Sequence, residues 1–92
     1  MLADMRYAIR YSEEAAAKRD SLDAVRRKSF DRAIDVLAEH PEHEKSLAMG
    51  ENVRHIRLTN DILAEYAIFN QFVMILVLNI FDRQDVLVAD ED

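Results

Sequence analysis

This sequence predicts an α+β fold: an N-terminal strand, a two-helix hairpin, then an antiparallel sheet of three to four strands, all in one domain spanning 1–92. Three observations carry that expectation. The stretch 52–81, NVRHIRLTNDILAEYAIFNQFVMILVLNIF, is three β-type runs separated by two turn signals. Upstream, Phe30, Ala33, Ile34 and Leu37 recur at i, i+3, i+4 and i+7, the stripe of a helix that faces a core. The order of these pieces, with short connections between the last strands, implies a mostly antiparallel sheet carrying an αα-hairpin on one face.

The first strand is expected over 6–11, where MRYAIRY alternates in β-rich residues. Ser12 then stands where a helix N-cap belongs, with Glu13 and Glu14 placed to complement the helix dipole. A short Ala-rich helix follows over 13–21. A second runs from about 23 to 39, capped by Ser21 or Asp23 and stopped by Pro41. The single Pro (Pro41) and the single Gly (Gly50) frame the one substantial loop. Strands are expected at 53–58, 62–69 and 73–81, joined by Thr59-Asn60-Asp61 and by a two-residue connection at Asn70-Gln71. A further turn at 82–85 leads to a short apolar run at 86–88 and an acidic tail at 89–92.

Composition bounds the function classes. Half of the 92 residues are apolar and a third are charged, the balance of a globular chain rather than a disordered one. The absence of cysteine excludes a disulfide framework and a thiolate metal site. His40 and His43 bracket Pro41 without a third ligand at fixed spacing, so no metal and no cofactor is expected. The start of the sequence has no basic region followed by a long apolar one, and the run 72–81 is half the length of a bilayer span; a cytoplasmic protein without membrane contact is the expectation. The formal charge of −6 argues against nucleic-acid binding, but Asp90, Glu91 and Asp92 supply half of it. The cations gather in two groups: Arg26, Arg27, Lys28 and Arg32 on the second helix, and Arg54, His55 and Arg57 on a strand.

Strand parity sorts these groups further. In 53–58, Arg54, Ile56 and Leu58 share one face, and Val53, His55 and Arg57 share the other. With Ile56 and Leu58 against the helices, His55 and Arg57 point to the open side of the sheet. In the run 72–81, nine of ten residues are apolar and only Asn79 is polar, so the strand is interior and both of its faces need cover. Two short helices can cover one set. Taking the unbroken set (Phe72, Met74, Leu76, Leu78 and Ile80) as helix-covered leaves Val73, Ile75, Val77 and Phe81, with Leu63 and Phe69 adjoining, as an apolar surface for a partner helix or strand or a second copy of the chain.

The order of landmarks resembles the RelE/ParE superfamily of bacterial toxins from type II toxin–antitoxin pairs. The matching pieces are the opening RYAIRYSEEA, a basic helical hairpin ending LAEHPEH, the segment SLAMGENVRHIRL, the strand DILAEYAI and the ending LNIFDRQDVL; they cover nearly the whole chain. The resemblance implies a cognate antitoxin as partner and one of two activities, cleavage of mRNA in the ribosomal A site or inhibition of DNA gyrase. The nucleases use a basic cluster to hold the scissile phosphate while the 2′-hydroxyl attacks. On this chain that cluster maps to Arg57 and Arg83, and His55 is a candidate general base because its reference pKa of about 6.5 suits proton transfer near neutrality. The helix cations Arg26, Arg27, Lys28 and Arg32, with Arg54, would contact ribosomal RNA through phosphates. Ala48, Leu63 and Leu87 stand where the family often carries Lys, Arg and Tyr.

Two classes of function therefore stand side by side. One is a ribosome-dependent endoribonuclease built on Arg57, Arg83 and His55. The other is a binder, either a gyrase inhibitor or a chain that only engages an antitoxin, which needs no phosphate-cleaving cluster.

Overall fold

Both helices begin on side-chain caps that the sequence supplies. The Ser12 hydroxyl accepts the Ala15 N–H at 3.0 Å and opens α1 (Glu13–Ser21). The Asp23 carboxylate accepts the Arg26 N–H at 2.8 Å and opens α2 (Ala24–Glu39). Each cap satisfies an amide that the first helical turn leaves without an internal partner. Lys18 and Arg19 fall in the last turn of α1, where cations complement its dipole. His40 closes α2 by donating its N–H to Val36 and Leu37, and Pro41 follows.

The computed structural model describes residues 6–83. Five strands form one sheet: β1 (Ala8–Tyr11), β2 (Leu47–Ala48), β3 (Val53–Thr59), β4 (Ile62–Phe69) and β5 (Met74–Asp82), in the order β1-β5-β4-β3-β2. The antiparallel expectation holds from β2 to β5. β1 joins alongside β5 in parallel, which a connection running through two helices permits and a hairpin would not. β5 lies between β1 and β4, the interior place that its apolar composition implies. The Asn70-Gln71 connection is longer than expected. Asn70–Phe72 form a single 3-10 turn, and Val73 completes the reversal in the left-handed region at φ 49°, a strained position for a β-branched residue. The loop after α2 contributes β2, an edge strand of two residues that its sequence does not announce.

The core lies between the helices and one face of the sheet. Ala15, Leu22, Phe30, Ile34 and Leu37 pack on Ile56, Ile62, Ala64, Tyr66, Ile68, Ile75, Val77 and Ile80. Tyr66 is fully buried, and its hydroxyl donates to the Pro41 carbonyl at 2.7 Å, so its polar end is satisfied.

The β5 faces differ from the expected assignment, and the cause is a β-bulge. Tyr66 pairs with Val77 and Glu65 with Asn79, which leaves Leu78 as an extra residue and reverses the parity of the strand. Before the bulge, Ile75 and Val77 face the helices; after it, Ile80 and Asp82 do. The set Val73, Ile75, Val77 and Phe81 therefore does not share a face. Ile75 and Val77 are fully buried core, Val73 belongs to the turn, and only Phe81 lies on the open side, 43% exposed. Ser12 meets the bulge: its hydroxyl donates to the Leu78 carbonyl at 2.8 Å while it caps α1. Asp82, expected in a turn, is instead the buried last residue of β5.

No helix of the described residues is long and apolar enough to cross a membrane. The run 86–88, Leu87 and the acidic tail 89–92 lie outside the described residues.

Candidate functional site

Cross-strand register assembles the site on the sheet face opposite the helices. His55 pairs with Glu65 and Arg57 with Leu63 across β3 and β4; Glu65 pairs with Asn79 and Leu63 with Phe81 across β4 and β5. Two rows result, His55–Glu65–Asn79 and Arg57–Leu63–Phe81. The parity argument from the sequence thus places His55 and Arg57 on the open face. The bulge at Leu78 is what brings Asn79 and Phe81 there beside them.

The second row forms the wall of a cleft of about 190 Å³, lined by Arg57, Asn60, Asp61, Ile62, Leu63, Phe81 and Arg83. Arg83 is held at its mouth because its backbone N–H donates to the Asp61 carbonyl at 2.7 Å, tying the end of β5 to the β3–β4 turn. Arg57 and Arg83 are both exposed, and neither side chain makes an ion pair or hydrogen bond among the described residues. An apolar floor between two guanidiniums suits an anion attached to a flat or apolar group.

The first row is polar and internally paired. Asn79 donates from Nδ2 to Glu65 Oε1 at 2.7 Å, and His55 Nε2 lies 3.4 Å from Glu65 Oε2. The Asn79 hydrogen bond, with His55 adding to it, holds the Glu65 carboxyl below the usual carboxylate range against the opposing effect of burial. The His55 ring sits 6.3 Å from the Phe81 ring, so the two rows touch through that contact.

The remaining cations do not join this cluster. Arg26 is spoken for: it reaches Asp82 at 2.7 and 3.1 Å and Asp61 at 3.1 Å, pinning the start of α2 to the end of β5 and the β3–β4 turn. The Asp82 hydrogen bond raises its affinity for the proton further, so it stays charged and engaged. Arg54 faces the helix side of the sheet, where Nε donates to the Ser46 hydroxyl at 2.7 Å and anchors the loop before β2. These two are tethers rather than surface cations, because each points at an acceptor that the fold brings from elsewhere in the chain. Arg27, Lys28 and Arg32 remain on α2 without ion pairs among the described residues, on the opposite side of the sheet from His55. Among the described residues no group of three or more His, Cys, Asp or Glu is placed to hold a metal ion.

Neither Glu65 nor Asn79 is among the site residues that the sequence predicts. The signal was present: Glu65 is the one charge in 62–69 and Asn79 the one polar residue in 72–81.

The sequence matches no protein-family model and no curated protein. The fold, however, is that of RelE toxins. The isolated E. coli RelE toxin superposes with a TM-score of 0.74 at 16% identity, over 94% of this chain and 99% of that one. The toxin in the intact E. coli RelBE toxin–antitoxin complex gives 0.73 at 18% identity, over 83% of this chain and 95% of that one. The archaeal RelE–RelB complex from Pyrococcus horikoshii gives 0.70 at 18% identity, over 85% and 96%. At these identities the likeness is one of fold.

Proposed function

We propose that this chain is the toxin of a type II toxin–antitoxin pair and cleaves mRNA on the ribosome. The observation that carries the reading is the pair of arginines, Arg57 and Arg83, without ion pairs among the described residues, flanking an apolar cleft on the open sheet face with His55 one row away. In this reading the two guanidiniums hold the scissile phosphate and stabilise the charge that develops on it. His55 takes the proton of the 2′-hydroxyl as the 2′-oxygen bonds to phosphorus. The P–O5′ bond breaks, and the 5′-oxygen leaves with a proton from water, giving a 2′,3′-cyclic phosphate and a 5′-hydroxyl. Arg27, Lys28 and Arg32, free of internal partners among the described residues, would meet ribosomal RNA through its phosphates, independently of sequence. An antitoxin is the natural cover for the rest of the open face, where Phe69, Met74 and Leu76 are only partly buried.

A second reading is favoured by one specific feature. Leu63 and Phe81 make the centre of the site apolar, and Ala48 adds no charge on β2, which suits a chain that inhibits by binding a protein such as gyrase. Induced expression separates the two. A nuclease arrests growth and leaves ribosome-dependent cuts in mRNA, and Arg57→Ala or Arg83→Ala abolishes both. Arrest with intact mRNA and impaired DNA supercoiling replaces the nuclease with the inhibitor.

A further inference from the structure

We infer that Glu65, clamped by Asn79, is the positioning residue of the site, fixing the His55 imidazole so that Nδ1 is its basic nitrogen. The inference rests on the nuclease reading and names the part of the site that would set its proton chemistry. Glu65 is the one charge on β4 and stands on a sheet face where solvation alone could satisfy it. Instead both of its oxygens are engaged, Oε1 by the Asn79 amide at 2.7 Å and Oε2 toward His55 Nε2 at 3.4 Å. The two side chains are each 26% exposed, so this contact is shielded more than an ordinary surface pair.

The consequence for the imidazole follows from its hydrogen-bonding inventory. A neutral imidazole has one N–H and one lone pair, and a carboxylate can only accept. A hydrogen bond to Glu65 across this 3.4 Å contact requires the proton on Nε2, which leaves the lone pair on Nδ1. A third group that holds a base in one tautomer and supports its charged form is the logic by which carboxylates assist catalytic histidines. Asn79 extends it one step, since its bond keeps Glu65 ionised and aimed.

The groups that face His55 are few. Glu65 comes from β4, Arg57 lies two residues along β3 on the same side, β2 offers the apolar Leu47 as register partner, and β5 offers Phe81. Phe81 joins the row to the cleft that Arg57 and Arg83 line.

Two measurements on the full chain test this. In the wild-type protein, ¹⁵N shifts should report the tautomer with its lone pair on Nδ1. Glu65→Gln should lose that preference. In single-turnover cleavage of ribosome-bound mRNA, Glu65→Gln should slow the reaction about 10–100-fold, a typical range for misplacing a catalytic group through its supporting residue. Asn79→Ala, which leaves Glu65 in place, should do the same more weakly and guards against a fold-wide effect of the first variant. A tautomer preference unchanged in both variants overturns the inference whatever the cleavage rate. A lost preference with unchanged cleavage overturns the positioning role. A wild-type chain that cuts no mRNA overturns the nuclease reading instead, and the ¹⁵N shifts distinguish that failure from the other two.

Discussion

The two faces of the sheet are made from the same strands and have opposite characters. Toward the helices, β3, β4 and β5 present Ile56, Ile62, Ala64, Tyr66, Ile68, Ile75, Val77 and Ile80, all buried, and the charges there, Asp82 and Arg54, are held by Arg26 and Ser46. Toward solvent the same strands present His55, Arg57, Leu63, Glu65, Asn79 and Phe81, a mixture of charge, amide and exposed ring. A closed apolar layer supplies folding energy and tolerates little, whereas the open layer supplies chemistry and keeps Arg57 and Arg83 without ion pairs among the described residues. Substitutions on the two faces should therefore fail in different assays.

The largest contrast pairs Leu37 with Phe81. Leu37 is 1% exposed in the helix stripe, and Leu37→Asp buries an unpaired charge whose cost of several kcal/mol consumes most of a small domain's stability of about 5–15 kcal/mol. No cooperative melt should remain by circular dichroism. Phe81→Ser, on the open face, should keep the melt and lose partner binding or cleavage. A Leu37→Asp chain that melts like wild type would mean the covered face was misassigned.

Next comes a contrast between two arginines. Arg26→Ala takes from Asp82, whose side chain is 8% exposed, the guanidinium at 2.7 Å, and losing a hydrogen bond between charged groups costs about 1.5–3 kcal/mol. Urea denaturation should show that loss in the midpoint. Arg57→Ala removes an unpaired surface cation, so its unfolding free energy should stay within about 0.5 kcal/mol of wild type. In cleavage it should cost about 2–4 kcal/mol of transition-state stabilisation, the usual effect of losing a charge-stabilising donor. If the stability losses came out reversed, Arg26 would belong to the site and Arg57 to the scaffold.

These contrasts also mark what the sequence made legible. Helix limits were readable because Ser12, Asp23 and Pro41 act locally, through bonds that span three or four residues. The face of β3 was readable because its alternation is unbroken from Val53 to Arg57. The face of β5 was not, because counting by two cannot see one extra residue, and Leu78 exchanges every side chain beyond it. Arg26 could not be told from Arg27 and Lys28, since what separates them is whether Asp61 and Asp82, dozens of residues away, lie within reach. Glu65 and Asn79 acquire meaning only through register, which pairs the one polar residue of each run across two strands.

Ser12 offers a smaller test of where the open face comes from. Its hydroxyl both caps α1 and donates to the Leu78 carbonyl at the bulge, so Ser12→Ala should lose about 1–2 kcal/mol, the upper part of the range for an N-cap. Ser12→Asp keeps a capping acceptor but no donor at neutral pH. If the bulge bond matters, it should recover only part of the loss in thermal unfolding; full recovery would assign all of Ser12's effect to the helix.

The smallest expected effect separates the faces by pH. Glu65 titrates below its ordinary value in the folded chain, chiefly through the Asn79 hydrogen bond and then through His55. A depressed folded value means the unfolded chain binds the proton more readily. The stabilisation is therefore fully present above the ordinary glutamate value of about 4.3 and disappears as pH falls through the lowered folded value. Glu65→Gln removes the titrating group, so the stability difference between wild type and this variant should be constant near neutrality and shrink on acidification below that ordinary value. Asn79→Ala, which removes the largest cause of the depression, should narrow the pH interval over which the difference shrinks. Denaturant midpoints measured stepwise into the acid range report both. A wild-type minus Glu65→Gln difference that does not change with pH would mean that the polar row contributes geometry to the open face and no charge-dependent stability.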